Sequence, residues 1–291
     1  MLTVVFVSLS GGQGKTTLTV LLGRYLARLG WKALLIDADP QHNLSDYLGF
    51  QPDPTKPTLF EVFTRPKKED GGYFEPFDCI HYMETDDLYL IPADNGLGEA
   101  ESFLMRSGFA GTSLQRRLQG DKRLQAFDVC LIDSPPQRSQ FTLATVGAAD
   151  AIVIPIGADI KGYGSLIRTK DVLDEFEREG FHKPLLGVVP FRENWKGRNL
   201  VLRCRDVNNY IREELGMEPL PQEFFRQGWK DNAIAVEQED GLLVPSIPVS
   251  NWFDEAISQR STLKDLGHEE LEKPLEVLSR RIEQRKSNVN Q

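Results

Sequence analysis

The sequence predicts a doubly wound α/β fold with a mostly parallel sheet, on three observations. Short apolar runs alternate with segments of helical period. The first two runs enclose a glycine-rich loop and a helix, and acidic residues stand just past the ends of several runs.

In order, residues 3–9 form a β-rich run, and residues 16–29 carry apolar side chains at helical spacing. Gly30 stops that helix, and residues 32–36 form a second run. This is a βαβ unit, which implies parallel strands with a right-handed crossover. Further runs at 88–91, 127–132, 151–156 and 185–189 are separated by helical patterns such as 164–179. Residues 51–87, rich in Pro, Gly and charge, read as a surface insertion with a variable loop at 65–72. Terminal helices are expected near 253–286, with a frayed end at 287–291, and residues 1–291 are expected to form a single domain.

Composition narrows the function classes. The 291 residues include 34 Lys+Arg and 43 Asp+Glu, for a net charge of −9, which excludes a whole-surface nucleic-acid binder but not a local basic patch. No apolar run approaches the roughly 18 residues of a membrane span. The apolar start lacks the basic region and cleavage site of an export signal, so a cytoplasmic location is expected. Cys79, Cys130 and Cys204 are odd in number and far apart, which excludes a disulfide framework and a CxxC metal pair.

The segment Gly11-Gly12-Gln13-Gly14-Lys15-Thr16-Thr17 lies between the first run and the first helix. Glycines let successive N–H groups converge on phosphate oxygens, and a helix N-terminus adds about half a positive charge. In such P-loops the lysine, here Lys15, reaches the β/γ-phosphates, and the hydroxyl at Thr16 ligates Mg²⁺. The usual first glycine of the pattern is absent, because position 9 is Leu9. Asp37-Ala38-Asp39-Pro40-Gln41 and Asp133-Ser134-Pro135-Pro136 end two further strands, at the edge where α/β sheets bind ligands. Asp133 is expected to hold Mg²⁺ through a water or to bond Thr16, and Asp39 to orient the attacking water. Taken singly, each aspartate reads more readily as a helix cap or turn former; the three motifs together point to a nucleotide site.

With these motifs, together with Ile91-Pro92-Ala93, Ile247-Pro248 and Glu255-Ala256, the chain resembles the ParA/MinD family of deviant Walker-box ATPases over roughly residues 2–260. The resemblance implies Mg²⁺-dependent hydrolysis of ATP, an ATP-sandwich homodimer, and stimulation by a partner. It makes Lys15, Asp39 and Asp133 catalytic, and Thr16 and Asp133 metal-binding. It also implies adenine contacts at Pro190 and Phe191 and at Pro248 and Val249. The family's signature lysine precedes the two glycines, where this chain has Ser10. Either the ATPase dimerises poorly, or a lysine comes from elsewhere; Lys161, after the run at 151–156, is the candidate.

A serine at this position also resembles the McdA-type ATPases that distribute carboxysomes over the nucleoid. That branch implies non-specific DNA binding in the ATP state and a cargo-bound adaptor, ParB- or McdB-like. Plasmid or chromosome partition is the nearest alternative. Candidate DNA contacts are Arg198, Arg203 and Arg205, and Arg280 and Arg281 with Arg285 and Lys286, each also readable as a solvated helix face. No room is seen for an N-terminal helix-turn-helix. A MinD-like membrane cycle is disfavoured because Leu275, Leu278 and Ile282 make only a short apolar stripe without an aromatic anchor. A metabolic enzyme on the same fold lacks an acceptor motif, and an iron–sulfur relative lacks suitably placed thiolates.

Overall fold

The computed structural model describes residues 1–53, 55–107, 110–238 and 241–289. An eight-stranded sheet in the order β10-β7-β6-β1-β5-β2-β4-β3 runs through it. Its strands are β1 (Leu2–Phe6), β2 (Ala33–Asp37), β3 (His81–Met83), β4 (Leu88–Ile91), β5 (Val129–Asp133), β6 (Ala151–Gly157), β7 (Leu185–Glu193) and β10 (Ile247–Pro248). All pair in parallel except β3, which runs antiparallel on β4. A two-stranded hairpin, β8 (Trp195–Lys196) and β9 (Asn199–Leu200), follows β7.

The helices are α1 (Lys15–Arg28), α2 (Asn43–Tyr47), α3 (Leu59–Thr64), α4 (Leu97–Ser107), α5 (Ala110–Gly120), α6 (Gln140–Ala148), α7 (Ile160–Arg178), α8 (Leu202–Glu214), α9 (Trp229–Gln238), α10 (Asn251–Ser258) and α11 (Lys273–Val289). Alternate strand residues feed two cores, as the pleat requires. Val5, Leu34 and Ile36 face the layer that includes α3 to α7, while Val4, Phe6 and Leu35 face α1, α10 and α11. Leu18, Leu22 and Leu26 of α1 are fully buried, each worth about 1.5–3 kcal/mol of transfer free energy.

The stretch 51–87 is more than a surface excursion. Thr58 caps α3 through a capping box with Glu61, burying Leu59 and Val62, and β3 extends the sheet. The apolar stripe of α11, Leu275, Leu278 and Ile282, is buried in the α1-side core. Among the described residues no helix is long and apolar enough to cross a membrane. Of the expected frayed end, residues 290–291 lie outside the described residues.

Parallel pairing brings the carboxyl ends of β1, β2 and β5 into register, with Phe6 and Asp37 each opposite Asp133. The motifs separated in sequence therefore meet at one edge.

Candidate functional site

The loop after β1 curls because Gly12 and Gly14 adopt φ of +75° and +90°, conformations that glycine enters without strain. Gly14 has a second constraint: a Cβ there would lie 2.6 Å from the Phe191 ring. The loop is thus pressed against the end of β7. Lys15 opens α1 with only 6 % exposure, and its Nζ donates to the carbonyls of Ser8 at 3.1 Å and Ser10 at 3.2 Å. Burial lowers its pKa, against the opposing pull of Asp133 and Asp39.

Three carboxylates stand behind the loop. Asp37 is fully buried and accepts from the Ser45 amide and hydroxyl at 2.8 and 2.7 Å and from the Asp39 amide at 3.2 Å. Burial still pushes its pKa up to about 6. Asp39, nearly buried, accepts from the Gln41 amide at 3.0 Å, and burial raises its pKa too. Asp37 therefore fixes the turn, while Asp39 opens on the cleft.

Asp133 receives the Thr16 hydroxyl on Oδ2 at 2.6 Å, but its buried Oδ1 has no hydrogen-bond partner. Burial and the neighbouring Asp37 push its pKa up to about 8, with Lys15 and Thr16 opposing. An orphaned buried carboxylate oxygen beside a hydroxyl suits a hard cation, which takes oxygen ligands and keeps several waters. Thr16 and Asp133 thus fit Mg²⁺. No cluster of three or more acidic, His or Cys ligands occurs among the described residues, so the remaining ligands would be phosphate oxygens and water.

The cleft holds about 270 Å³ and is lined by residues 11–17 with Asp39, Gln41, Asn43, Tyr47, Pro136, Phe191 and Arg192. Of the expected adenine contacts only Phe191 lines it. Pro190 is buried within β7, and Pro248 and Val249 lie on the far side of that strand, outside the lining. Arg192 was missed, although a charged pair directly after an apolar run repeats the pattern of the other strand ends. It sits at φ +60° with its guanidinium 5.8 Å from the Phe191 ring centroid.

Support from α7 was also not foreseen. Asp159 caps this helix by accepting the Gly162 amide at 2.7 Å. A Cβ on Gly162 would lie 2.0 Å from the Gly157 carbonyl, so only glycine lets α7 start this close to β6. One face of α7 then braces the loop: Thr169 Oγ1 accepts the Leu9 amide at 3.2 Å, Arg168 donates to the Leu9 carbonyl at 3.3 Å, and the Ser165 and Ser8 hydroxyls bond at 2.9 Å. From the same helix Lys161 Nζ donates to the Gly11 carbonyl at 3.3 Å. Gln13, nearly buried, accepts the Gly157 amide at 2.6 Å and donates to Gly11.

Just past Arg192, Glu193 is buried with no cationic partner among the described residues. Its carboxylate accepts from Ser246, from the Trp195 indole at 2.9 Å and from Asn208 at 3.3 Å, and burial raises its pKa.

The basic clusters separate into two kinds. Arg281, expected to contact DNA, donates to the carbonyls of Leu186 at 2.6 Å, Gly241 at 2.8 Å and Leu243 at 3.2 Å. It staples α11 to β7. Arg280 is paired with Glu237, and Lys286 with Asp128 at 2.6 Å. Arg203, on α8, is exposed and has no ion-pair partner among the described residues; Arg198 keeps only a long 3.7 Å pairing with Asp231. Arg205 bonds the Leu200 carbonyl at 2.7 Å.

Comparison with known proteins gives a consistent picture. Residues 1–180 match a family model described as "AAA domain". The chain is similar to a maintenance of carboxysome distribution protein A of Synechococcus elongatus, 39 % identical over 283 residues, covering 97 % of this chain and 99 % of that one. Its namesake from Gloeothece citriformis is 38 % identical over 277 residues, with 95 % of each covered. Among solved structures, a Cyanothece McdA variant in complex with ATP superposes with a TM-score of 0.82 at 35 % identity, over 97 % of this chain and 96 % of that one.

Proposed function

Because the chain belongs to the ParA/MinD-type AAA-domain ATPases, and within them to the carboxysome-distribution A proteins, we propose that it positions carboxysomes by cycling between nucleotide states. It is an ATPase, with ATP and Mg²⁺ as its cofactors. The observation that carries the site assignment is the Thr16–Asp133 pair with its orphaned Oδ1, set behind a glycine loop.

In this reading the amides of residues 11–17 cradle the phosphates. Lys15 exchanges the carbonyls of Ser8 and Ser10 for β/γ-phosphate oxygens, which suits an ammonium already partly stripped of water. Thr16 and Asp133 would hold Mg²⁺, which would supply charge neutralisation at the phosphoryl group in transfer. Asp39, at the open side of the cleft, orients the water. Phe191 and Arg192 face the nucleoside.

The dimer and DNA steps follow from the same edge. Ile160, Leu202 and Val249 are exposed by 66 %, 69 % and 59 % at or beside that edge, a surface that a second copy would cover. Lys161 is the lysine that replaces the missing signature residue: its exposed ammonium already touches the phosphate loop at the Gly11 carbonyl. Arg203, exposed and without an ion-pair partner among the described residues, and Arg198, with its long pairing to Asp231, are the DNA contacts. Dimerisation doubles this modest patch, so an acidic chain binds DNA in the ATP state alone, and a cargo-bound adaptor triggers hydrolysis and release from the nucleoid.

The test is binding to non-specific duplex DNA in ATP and in ADP, with a salt titration. ATP-dependent, salt-sensitive binding that disappears in Lys161→Ala together with the dimer supports the reading. Equal binding in both nucleotides, or none, refutes it.

A further inference from the structure

Away from the phosphate cleft, among α3, α4 and α5, lies an open cavity of about 460 Å³. Phe63 and Phe103 form its apolar walls, and Arg65, Arg116 and Arg117 line it with a single carboxylate, Glu75. Three positive charges against one leave it at +2, in a chain whose net charge is −9.

Arg65 pairs with Glu75, whose charge also reaches Arg117. The Arg117 guanidinium is half-buried and makes no hydrogen bond or ion pair among the described residues; burial and then the neighbouring Arg65 lower its pKa, against the opposing pull of Glu75. Arg65 itself occupies a left-handed conformation at the end of α3, φ +53°, where a glycine would sit without strain. A half-buried guanidinium held beside another cation is a site waiting for an anion.

The surface continues beyond the cavity on both rims. On one side Arg65 stacks 4.9 Å from the ring centroid of Tyr73, which is 44 % exposed. On the other, Arg106 lies 5.2 Å over Phe103, and Phe103 and Met105 are exposed by 46 % and 65 %. Exposed aromatic, Met and Arg side chains around a desolvated pocket are the composition of protein-binding hot spots. A small anion would fill the pocket and leave both rims bare.

We propose that this cavity docks an acidic segment of a partner protein, with carboxylates on Arg65 and Arg117 and an aromatic or aliphatic side chain between Phe63 and Phe103. The proposal rests on this surface alone and stands whether or not the chain positions carboxysomes. The surface lies across the sheet from α1, so docking leaves the phosphate cleft open.

The probe is a fluorescent random copolymer of glutamate and tyrosine, titrated against the full chain in ADP and compared with polyglutamate and with a lysine–tyrosine copolymer. The wild type is expected to prefer the glutamate–tyrosine copolymer and to lose it as salt rises. Arg117→Gln and, separately, the surface variant Phe103→Ser should each weaken binding by about tenfold or more, with thermal midpoint and ATP turnover unchanged. Arg203→Glu should bind the copolymer as the wild type does. No binding by the wild type, binding that survives both variants, or loss in Arg203→Glu instead overturns the proposal. Displacement of the copolymer by inorganic triphosphate at equal charge concentration would show a small-anion site and overturn it equally.

Discussion

The two ends of the cleft are built on different principles. At the β1–β5–β2 end, recognition is made by backbone amides and by carboxylates directly after strands, so each part is a short contiguous motif. At the β7 end, the wall is one ring and one arginine, held by Glu193, which gathers Trp195 two residues on, Asn208 from α8 and Ser246 from just before β10. The first end reads charge, and charge chemistry needs few residue types at fixed spacing. The second reads shape, which many residues supply. The phosphate end is thus expected to control turnover, and the β7 end affinity and stability.

The sharpest break of this contrast is Lys15→Gln. Removing the buried ammonium should lower kcat by about 100- to 1,000-fold in a phosphate-release assay, with the fold intact by circular dichroism. At the other end, Phe191→Ala should raise the Kd for ATP by about tenfold and leave kcat at saturation near wild type, because it removes binding common to ground and transition states. If Phe191→Ala instead cut kcat, the division between the ends would fail.

The remaining predictions concern what holds the β7 end. Arg281→Met should cost about 2 kcal/mol in denaturant unfolding, as a charged donor to three or more carbonyls is lost, while leaving DNA affinity unchanged. Glu193→Gln is the subtlest. Because burial raises the Glu193 pKa, the folded state favours the protonated form. That contribution is fully present below the ordinary glutamate value and is lost as pH rises through the raised one. The thermal midpoint of the wild type should therefore fall over this window, and Glu193→Gln should flatten the slope. Identical slopes would leave Glu193 without this role.

The same contrast explains what was legible beforehand. The order of the main strands, the glycine loop and Asp133 opposite Thr16 follow from local pattern and strand-end position. The hairpin of β8 and β9 did not, since two-residue strands carry no periodicity. Nor did the bracing of the loop by Ser165, Arg168 and Thr169, whose polar atoms sit on a helix that reads as ordinary amphipathic covering. Arg281 and Arg203 look alike as letters. A helical wheel separates them: Arg281 follows buried Val277 and Leu278 by four and three positions, which points it toward the core. The α3–α5 cavity was invisible because Arg65 and Arg117 are 52 positions apart and meet only when α3 packs against α5.

The fastening of the loop to α7 has a mechanical consequence. The helix is 19 residues long, about 28 Å at 1.5 Å per residue, and its contacts with the loop all fall in its first half. A rod clamped at one end is a lever. A tilt of about 5° where Gln13 and Lys161 grip the loop would swing the far end near Arg178 by roughly 2.4 Å, about half of one helical turn's rise. The arrival or loss of a single phosphate would then be legible at the opposite edge of the molecule, without any loop having to carry the message.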